Sequence, residues 1–177
     1  MKYQEAIKKS MEMLSEDERT IFIGYNISYG SKAYGTLTDI PDNKKIETPV
    51  TENLMTGLAI GSAIENLRPV LFFERHDFML IALDAIINHL DKIDVLSKEQ
   101  YKLPVIIRAT VGSNKPLDPG PQHTQDFTEL FKRYLKHIKV IEPRTPKEIL
   151  STYESIKNYD SPVLIIERKD LYDVEEN

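Results

Sequence analysis

Hydrophobic and polar positions along this chain form short apolar runs separated by stretches of helical periodicity. Apolar side chains recur at helical spacing over residues 3–14, and the polar segment SEDER (15–19) ends that helix. Apolar runs bounded by glycine, proline or polar residues predict strands. The predicted strands are TIFIG (20–24), RPVLFFE (68–74), LPVIIRAT (103–110), IKVIEP (138–143) and SPVLIIER (161–168). The predicted helices between them are 52–63, 78–97, 126–137 and 145–158.

Strands that alternate with helices predict an α/β fold of three layers, a parallel sheet with helices on both faces. The sequence shows no linker or internal repeat, and we expect residues 1–177 to form a single domain. Ligands of such sheets bind beyond the carboxyl ends of the strands. The candidate loops are therefore 25–45, 74–78 and 110–125. The first is long, and long loops in compact domains are often functional.

Composition narrows the class of protein. The chain is 41% hydrophobic and 29% charged, with a formal net charge of -5, which argues against nucleic acid or an anionic membrane surface as its main partner. No apolar run approaches the roughly 20 residues needed to span a bilayer, and the charged N-terminal sequence lacks the apolar region of a signal peptide. There is no cysteine, which excludes disulfides and thiolate chemistry. We expect a cytoplasmic protein.

The common self-contained site motifs are missing from the sequence. It contains no GxxxxGK[ST] phosphate loop, no GxGxxG after a strand and no GxSxG nucleophile elbow. The histidines, at 76, 89, 123 and 137, are not spaced as paired metal ligands, so we expect no metal site built by this chain alone. These absences suggest that the chain carries only half of a functional site.

Glu52 stands at the first turn of a predicted helix that continues with small residues, and the segments around it resemble a known family. Their order is similar to that of the pyrimidine-binding domain in the first half of the beta subunit of thiamine-diphosphate-dependent 2-oxo acid dehydrogenases. Transketolases share this domain in outline. The matching segments are TPVTENLMTGLAIGSAIENLRPV (48–70), PVIIRATVG (104–112) and PGPQHTQDF (119–127), and the resemblance runs from about 2 to 167.

The resemblance implies a thiamine-diphosphate-binding fold and roles for three residues. It places Glu52 on the glutamate that hydrogen-bonds a ring nitrogen of the aminopyrimidine, Phe78 on the aromatic that stacks on that ring, and His123 on the histidine that faces the substrate. A carboxyl group against the ring nitrogen favours the imino tautomer, so that the cofactor acts as its own base. Arg75 and His76, just before Phe78, are weaker candidates for binding an anionic substrate.

The resemblance also implies partners. Thiamine diphosphate would lie at an interface with a separate diphosphate-binding subunit, whose Gly-Asp-Gly motif would ligate magnesium, in a hetero-oligomer of even number. The small residues after Glu52 would let that subunit approach closely. The reaction would make or break a C–C bond next to the carbonyl of a small 2-oxo acid or ketose, as in a decarboxylase, carboligase or transketolase-type enzyme. The alternatives are a beta-type subunit of a 2-oxo acid dehydrogenase and a non-catalytic binding or regulatory module.

Four departures from the family pattern accompany the match. Tyr25 and Asn26 replace an acidic pair, and Phe72 replaces a glutamate. The loop before His123 reads SNKPLDPGP instead of a glycine run, which predicts a different substrate specificity. The fourth departure is the lack of the family's C-terminal domain, so we expect no C-terminal transketolase domain. The Gly-Asp-Gly motif is also absent, which fits a half-enzyme whose partner carries that motif, and we therefore expect no diphosphate-binding domain.

Each candidate residue also has a purely structural explanation. Glu52 would suit the positive end of a helix dipole without any catalytic role. Phe78 would suit the core, like most phenylalanines. His123 would suit a surface loop, and Arg75 with His76 would suit a solvated one. These alternatives differ in burial and in what each side chain contacts.

Overall fold

Six parallel strands form the centre of the computed structural model, which describes residues 1–175. The strand order is β2-β1-β3-β4-β6-β5, and every neighbouring pair is parallel. The strands are β1 Thr20–Gly24, β2 Lys45–Glu47, β3 Arg68–Phe73, β4 Ile106–Val111, β5 Lys139–Ile141 and β6 Val163–Arg168. The helices are α1 Tyr3–Ser15, α2 Glu52–Ile64, α3 His76–Met79, α4 Ile93–Leu96, α5 Thr128–Tyr134 and α6 Pro146–Ile156. The predicted α/β class and parallel sheet are confirmed.

Helices cover both faces of the sheet, which explains why the central strands are apolar along their whole length. Along β6, Val163 and Ile165 pack with α1 and α6, whereas Leu164 and Ile166 pack on the opposite face with α2 and α5. The two buried clusters therefore lie on either side of one sheet, in the predicted three layers. No helix within residues 1–175 is long and apolar enough to cross a membrane.

Helix α2 shows two apolar sides. The inner side packs on the sheet through small and medium-sized side chains, which are Met55, Thr56, Ala59 and Ala63. The outer side exposes Leu54, Leu58 and Ile64 around Gly57 and Gly61. A helix that is apolar all round is normally covered on all sides. Nothing in the described part of this chain covers the outer side.

The predicted helix 78–97 was wrong in detail. The chain passes from α3 through a 3₁₀ turn and a π-helical segment, Asp84–His89, to a second 3₁₀ turn and α4. Asp91 in this stretch is buried, and its Oδ1 accepts hydrogen bonds from the backbone N–H groups of Lys136, His137 and Ile138 at 3.0, 2.8 and 2.8 Å. These tertiary bonds offset the loss of regular helix, and local periodicity does not reveal them.

The predicted loop 25–45 is compact and includes a left-handed turn. Lys32, Ala33 and Tyr34 have φ values of 48°, 52° and 57°, and Gly35 follows at 79°. Such conformations cost free energy in residues other than glycine and persist where surrounding contacts fix them. The loop ends in a 3₁₀ turn and β2, an edge strand that was not predicted because its sequence KIE is mostly polar.

A buried polar network lies beneath the site edge of the sheet. Arg108 donates to the two carboxylate oxygens of Glu167, from Nε at 2.7 Å and from Nη2 at 3.1 Å. Tyr153 and Tyr172 donate their hydroxyls to the same carboxylate at 3.2 and 2.7 Å. Burial alone would lower the pKa of Arg108, but the Glu167 carboxylate holds it above its ordinary value. Burial raises the pKa of both tyrosines.

Candidate active site

A cavity of about 530 Å³ opens at the carboxyl ends of β1 and β3, beside the start of α2. This is the edge at which parallel sheets bind ligands. Its lining comes from the loops after β1 and β3, the segment between β2 and α2, the start of α2, helix α3 with the 3₁₀ turn that follows it, and the loop after β4. The lining residues are Tyr25, Asn26, Val50, Glu52, Glu74, Arg75, Phe78, Ile81 and His123.

Glu52 begins α2, and only 4% of the residue is exposed. Its backbone carbonyl accepts a 2.9 Å bond from Thr56 Oγ1, which fixes the first turn. No ion pair within residues 1–175 reaches its carboxylate, which lines the cavity. Tyr25 lies beside it and donates a hydrogen bond to it, and the pKa of this phenol is raised by burial and by the Glu52 and Glu74 carboxylates. A ligand with a hydrogen-bonding group would meet a carboxyl group that still has acceptor capacity.

Phe78 and His123 form a second wall of the cavity. Their ring centroids are 5.2 Å apart and their planes meet at 82°, an edge-to-face arrangement. Phe78 belongs to α3, which directly follows β3, and His123 ends a 3₁₀ turn, Pro121–His123. The structure thus brings together all three residues to which the resemblance gave principal roles. The His123 ring makes no hydrogen bond to the described residues, and its Nδ1 is buried.

Gly112 determines how close the loop after β4 comes to the sheet. A Cβ atom at this position would lie 1.7 Å from the His123 carbonyl oxygen and 3.4 Å from Arg75 Cδ. A contact of 1.7 Å with backbone is impossible, so any other residue would displace His123. The glycine at the end of β4 is therefore required by the position of the histidine.

Two carboxylates that the sequence analysis did not single out organise the loop after β1. Glu47 accepts the backbone N–H groups of Asn26, Ile27 and Ser28 at 2.6, 2.9 and 2.7 Å. Glu74 lines the cavity and accepts from Asn26 Nδ2 at 3.0 Å. Its place directly after β3 is a signal that could have identified it, because strand ends mark the ligand edge. Nothing local in the sequence pointed to Glu47.

Arg75 lines the cavity, but His76 does not. Arg75 Nη1 donates to the Glu74 carbonyl oxygen at 3.0 Å, its Cζ lies 5.3 Å from the Tyr34 ring centroid, and burial lowers its pKa. His76 is fully buried, and its Nε2 lies within hydrogen-bond distance of the Gln125 and Phe127 backbone. The expectation that His76 binds an anionic substrate is therefore corrected, because its only polar contacts are internal.

The site has the chemistry of an organic ligand pocket, with one carboxyl acceptor at a helix start, one half-buried aromatic ring and one imidazole. Within residues 1–175, no group of three or more His, Asp or Glu side chains is placed to hold a metal ion. The lining fits a flat heteroaromatic ring with a hydrogen-bonding nitrogen, because the acid and the aromatic stand in one cavity.

Comparisons with known proteins agree with this geometry. The sequence matches the family described as transketolase, pyrimidine binding domain, over residues 1–175. Curated relatives include the pyruvate dehydrogenase E1 component subunit beta of Rickettsia conorii, which is 29% identical over 96% of this chain and 52% of the relative. The mitochondrial subunit of the same name from Saccharomyces cerevisiae is 28% identical, over 97% of this chain and 48% of the relative. The chain spans about half the length of these relatives.

Solved structures share the fold at lower identity. A split gene transketolase, described as an inactive beta4 tetramer, has a TM-score of 0.76 at 19% identity and covers 99% of this chain and 53% of its own. The transketolase of Campylobacter jejuni has a TM-score of 0.75 at 16% identity, over 98% of this chain and 26% of its own. The parallel sheet, the cavity at its carboxyl edge and the family match over nearly all described residues lead to one conclusion: this chain belongs to the transketolase pyrimidine-binding domain family.

Proposed function

We propose that this chain is the pyrimidine-binding subunit of a two-chain thiamine-diphosphate-dependent enzyme. Thiamine diphosphate, when bound, supplies a carbon nucleophile that adds to carbonyl groups. The observation that carries the proposal is the cavity that Glu52, 4% exposed at the start of α2, shares with Phe78 and His123. The Tyr25 hydroxyl is the neighbour that bonds the Glu52 carboxylate within residues 1–175, so acceptor capacity is left for a ligand.

Glu52 would hold the aminopyrimidine ring by its nitrogen. Because the carboxyl group sits on the first turn of a helix and is screened from solvent, its position is fixed before the ligand arrives. The Glu52 carboxyl group would hold a proton at the ring nitrogen, and the bound cofactor would then supply the base for the reaction. The role of Glu52 is therefore to place one proton on one ring atom.

Phe78 would contact the pyrimidine ring, and His123 would contact the substrate. Phe78 offers its ring to the pyrimidine, and such stacking contributes on the order of 1 kcal/mol beyond the area buried. His123 packs against the edge of Phe78 and has no hydrogen bond of its own within the described residues, which leaves its imidazole available to a substrate group. Arg75, on the same lining, would attract an anionic part of that substrate.

A separate subunit would hold the diphosphate and ligate magnesium. The outer side of α2 supports this partner, because 59% of Leu54 is exposed there and Cβ atoms built at Gly57 and Gly61 meet nothing within 4 Å. Nothing within residues 1–175 requires glycine at these two positions. A helix of another subunit packed against them would, since small residues let backbones approach closely. The proposed assembly is a hetero-oligomer of even number.

The proposed reaction makes or breaks a C–C bond next to the carbonyl of a 2-oxo acid or ketose. A second candidate is a beta-type subunit of a 2-oxo acid dehydrogenase. The names of the curated relatives favour the second candidate, and the substitution of Tyr25 and Asn26 for the family's acidic pair favours the first. The two candidates share the roles of Glu52, Phe78 and His123.

Calorimetric titration of thiamine diphosphate and magnesium into the chain, with and without the co-purified partner, tests the assignment. Binding is expected only in the mixed sample. The variant Glu52→Gln should lower kcat of the assembled enzyme by about 10²-fold or more, as for loss of a positioned acid–base group. Glu65→Gln, at the exposed C-terminal end of the same helix, is the matched control and should leave turnover unchanged.

Turnover of Glu52→Gln within a few-fold of the unsubstituted enzyme would remove the proposed role of Glu52. Absence of cofactor binding in the mixed sample would remove the enzyme assignment altogether and favour a non-catalytic module.

A further inference from the structure

The turn after β3 contacts the segment that follows His123. We infer that His76 and Asp77 are positioning residues, which hold segment 123–127 and thereby the His123 ring against the cavity. The inference rests on the proposed function only for what His123 does there. The contacts themselves belong to this chain and are tested without a cofactor.

Asp77 provides the first contact. It is 6% exposed, and its Oδ1 accepts from the backbone N–H of Gln125 at 3.1 Å and from Gln125 Nε2 at 3.3 Å. Its Oδ2 is buried and has no hydrogen-bond partner among the described residues. Burying a carboxylate that only one residue hydrogen-bonds costs free energy, and the contact with Gln125 offsets part of that cost. Here it fixes the backbone two residues beyond His123.

His76 provides the second contact. Its Nε2 lies 2.8 Å from the Gln125 carbonyl oxygen and 3.0 Å from the Phe127 backbone nitrogen. One ring nitrogen either donates to that carbonyl or accepts from that amide, according to the tautomer. Both partners lie on the same segment, so either tautomer holds it. The His76 ring also packs against the rings of Phe127 and Phe131, whose centroids lie 5.7 and 5.8 Å from its own.

The chain on the other side of His123 provides no comparable support. Every hydrogen bond formed by residues 113–122 of the described chain stays within 113–124, as in the 3.1 Å bond from His123 N to the Gly120 carbonyl. The histidine is therefore anchored to the body of the domain from its C-terminal side. Gly112 then allows close packing of the anchored segment, and the edge contact with Phe78 follows from it.

Nuclear magnetic resonance of the full chain tests the inference. The variant Asp77→Ala removes the acceptor, whereas Asp77→Asn keeps the Oδ1 acceptor for the Gln125 amide. Asp84→Ala, at an exposed aspartate of the next segment, is the control. Loss of a hydrogen bond to a charged group should speed amide exchange at Gln125 and Phe127 by about tenfold or more. The ring signals of His123 should shift in the same variant.

The expected pattern is local. Asp77→Ala changes the 123–127 amides and the His123 ring but not the amides of β3 and β4, and Asp77→Asn resembles the unsubstituted chain. Unchanged exchange at 123–127, or an equal increase throughout the sheet, would overturn the inference. The variant His76→Phe keeps the aromatic packing and removes Nε2, and it provides a second measurement if Asp77→Ala does not fold.

A double-mutant cycle in the assembled enzyme links this positioning to catalysis. Asp77→Ala should lower kcat in the unsubstituted enzyme and have little further effect in the His123→Ala background, because its effect passes through His123. An equal loss in both backgrounds would contradict the inference. The exchange measurement needs no cofactor, so it stands or falls separately from the role of Glu52.

Discussion

Two buried glutamates of this domain differ in how many hydrogen bonds the chain supplies to their carboxylates. Glu167 is fully buried in the interior, where Arg108, Tyr153 and Tyr172 supply four hydrogen bonds to its carboxylate. Glu52 is 4% exposed at the sheet edge, where among residues 1–175 only the Tyr25 hydroxyl bonds its carboxylate. The same side chain is thus satisfied in one place and left partly open in the other.

The difference separates a structural acid from a functional one. A carboxylate whose acceptor sites are filled by its own chain has little left for a ligand. One that lines a cavity and is bonded by a single phenol keeps acceptor positions for whatever enters the cavity. Burial alone would have grouped the two residues together, and the hydrogen-bond partners distinguish them.

The largest effect is expected from breaking the interior pair. Glu167→Ala leaves Arg108 buried with its charge unpaired, which should lower the free energy of unfolding by about 3–5 kcal/mol. Urea denaturation followed by circular dichroism measures this loss. Glu154→Ala, an exposed glutamate on α6, serves as the control. A loss below about 1 kcal/mol for Glu167→Ala would show that the network is not structural.

A smaller change in the free energy of unfolding, of opposite sign, is expected on the outer side of α2. Gly57→Ala should raise the free energy of unfolding of the isolated chain by about 0.5–1 kcal/mol, because alanine favours helix and the site is open. The same substitution should weaken assembly with the partner, as measured by analytical ultracentrifugation of the mixture. Stabilisation together with unchanged assembly would place the partner elsewhere.

The variant Glu52→Gln should change stability by less than about 1 kcal/mol, since the glutamine amide oxygen still accepts from the Tyr25 hydroxyl. This result would complete the contrast with Glu167. The measurement is the same urea titration. A loss comparable to that of Glu167→Ala would mean that the Glu52 carboxylate is itself structural, and the distinction between the two acids would fail.

The smallest expected effect is the dependence of folding stability on pH. Burial lowers the pKa of His76 below its ordinary value of 6.5, so this ring takes up its proton at lower pH in the folded chain than in the unfolded chain. Below pH 6.5 the unfolded chain binds more protons at this residue, and stability should therefore fall as pH decreases. Urea titrations at pH 7 and pH 5.5 should show this decrease, and it should be smaller in His76→Phe. An identical decrease in both would assign it to other groups.

Much of the fold followed from the sequence because strands and helices differ in period. The five predicted strands lie where the structure has them, and only the short polar β2 was missed. The irregular stretch around Asp91 was not predictable, since its bonds to the backbone near Ile138 join distant parts of the chain. Local periodicity carries no information about such contacts.

Part of the candidate site was also predictable from the sequence. Glu52, Phe78 and His123 were found through the resemblance, and the structure brings them to one cavity. The expectation that His76 binds a substrate was wrong. His76 precedes Phe78 by two residues, and the sequence alone does not distinguish the accessibility of the two side chains. Whether a residue at a strand end points outward or inward depends on what packs there, in this case Phe127 and Phe131.

The self-contained loop 113–119 has a consequence for engineering. Its hydrogen bonds do not reach the body of the domain, so its length and composition are open to randomisation without loss of the fold. Gly112 before it and the Gln125–Phe127 segment after it must stay fixed, because they seat the imidazole. A library confined to residues 113–119 would leave His123 and both anchors unchanged, and it would test whether this loop influences what the pocket accepts.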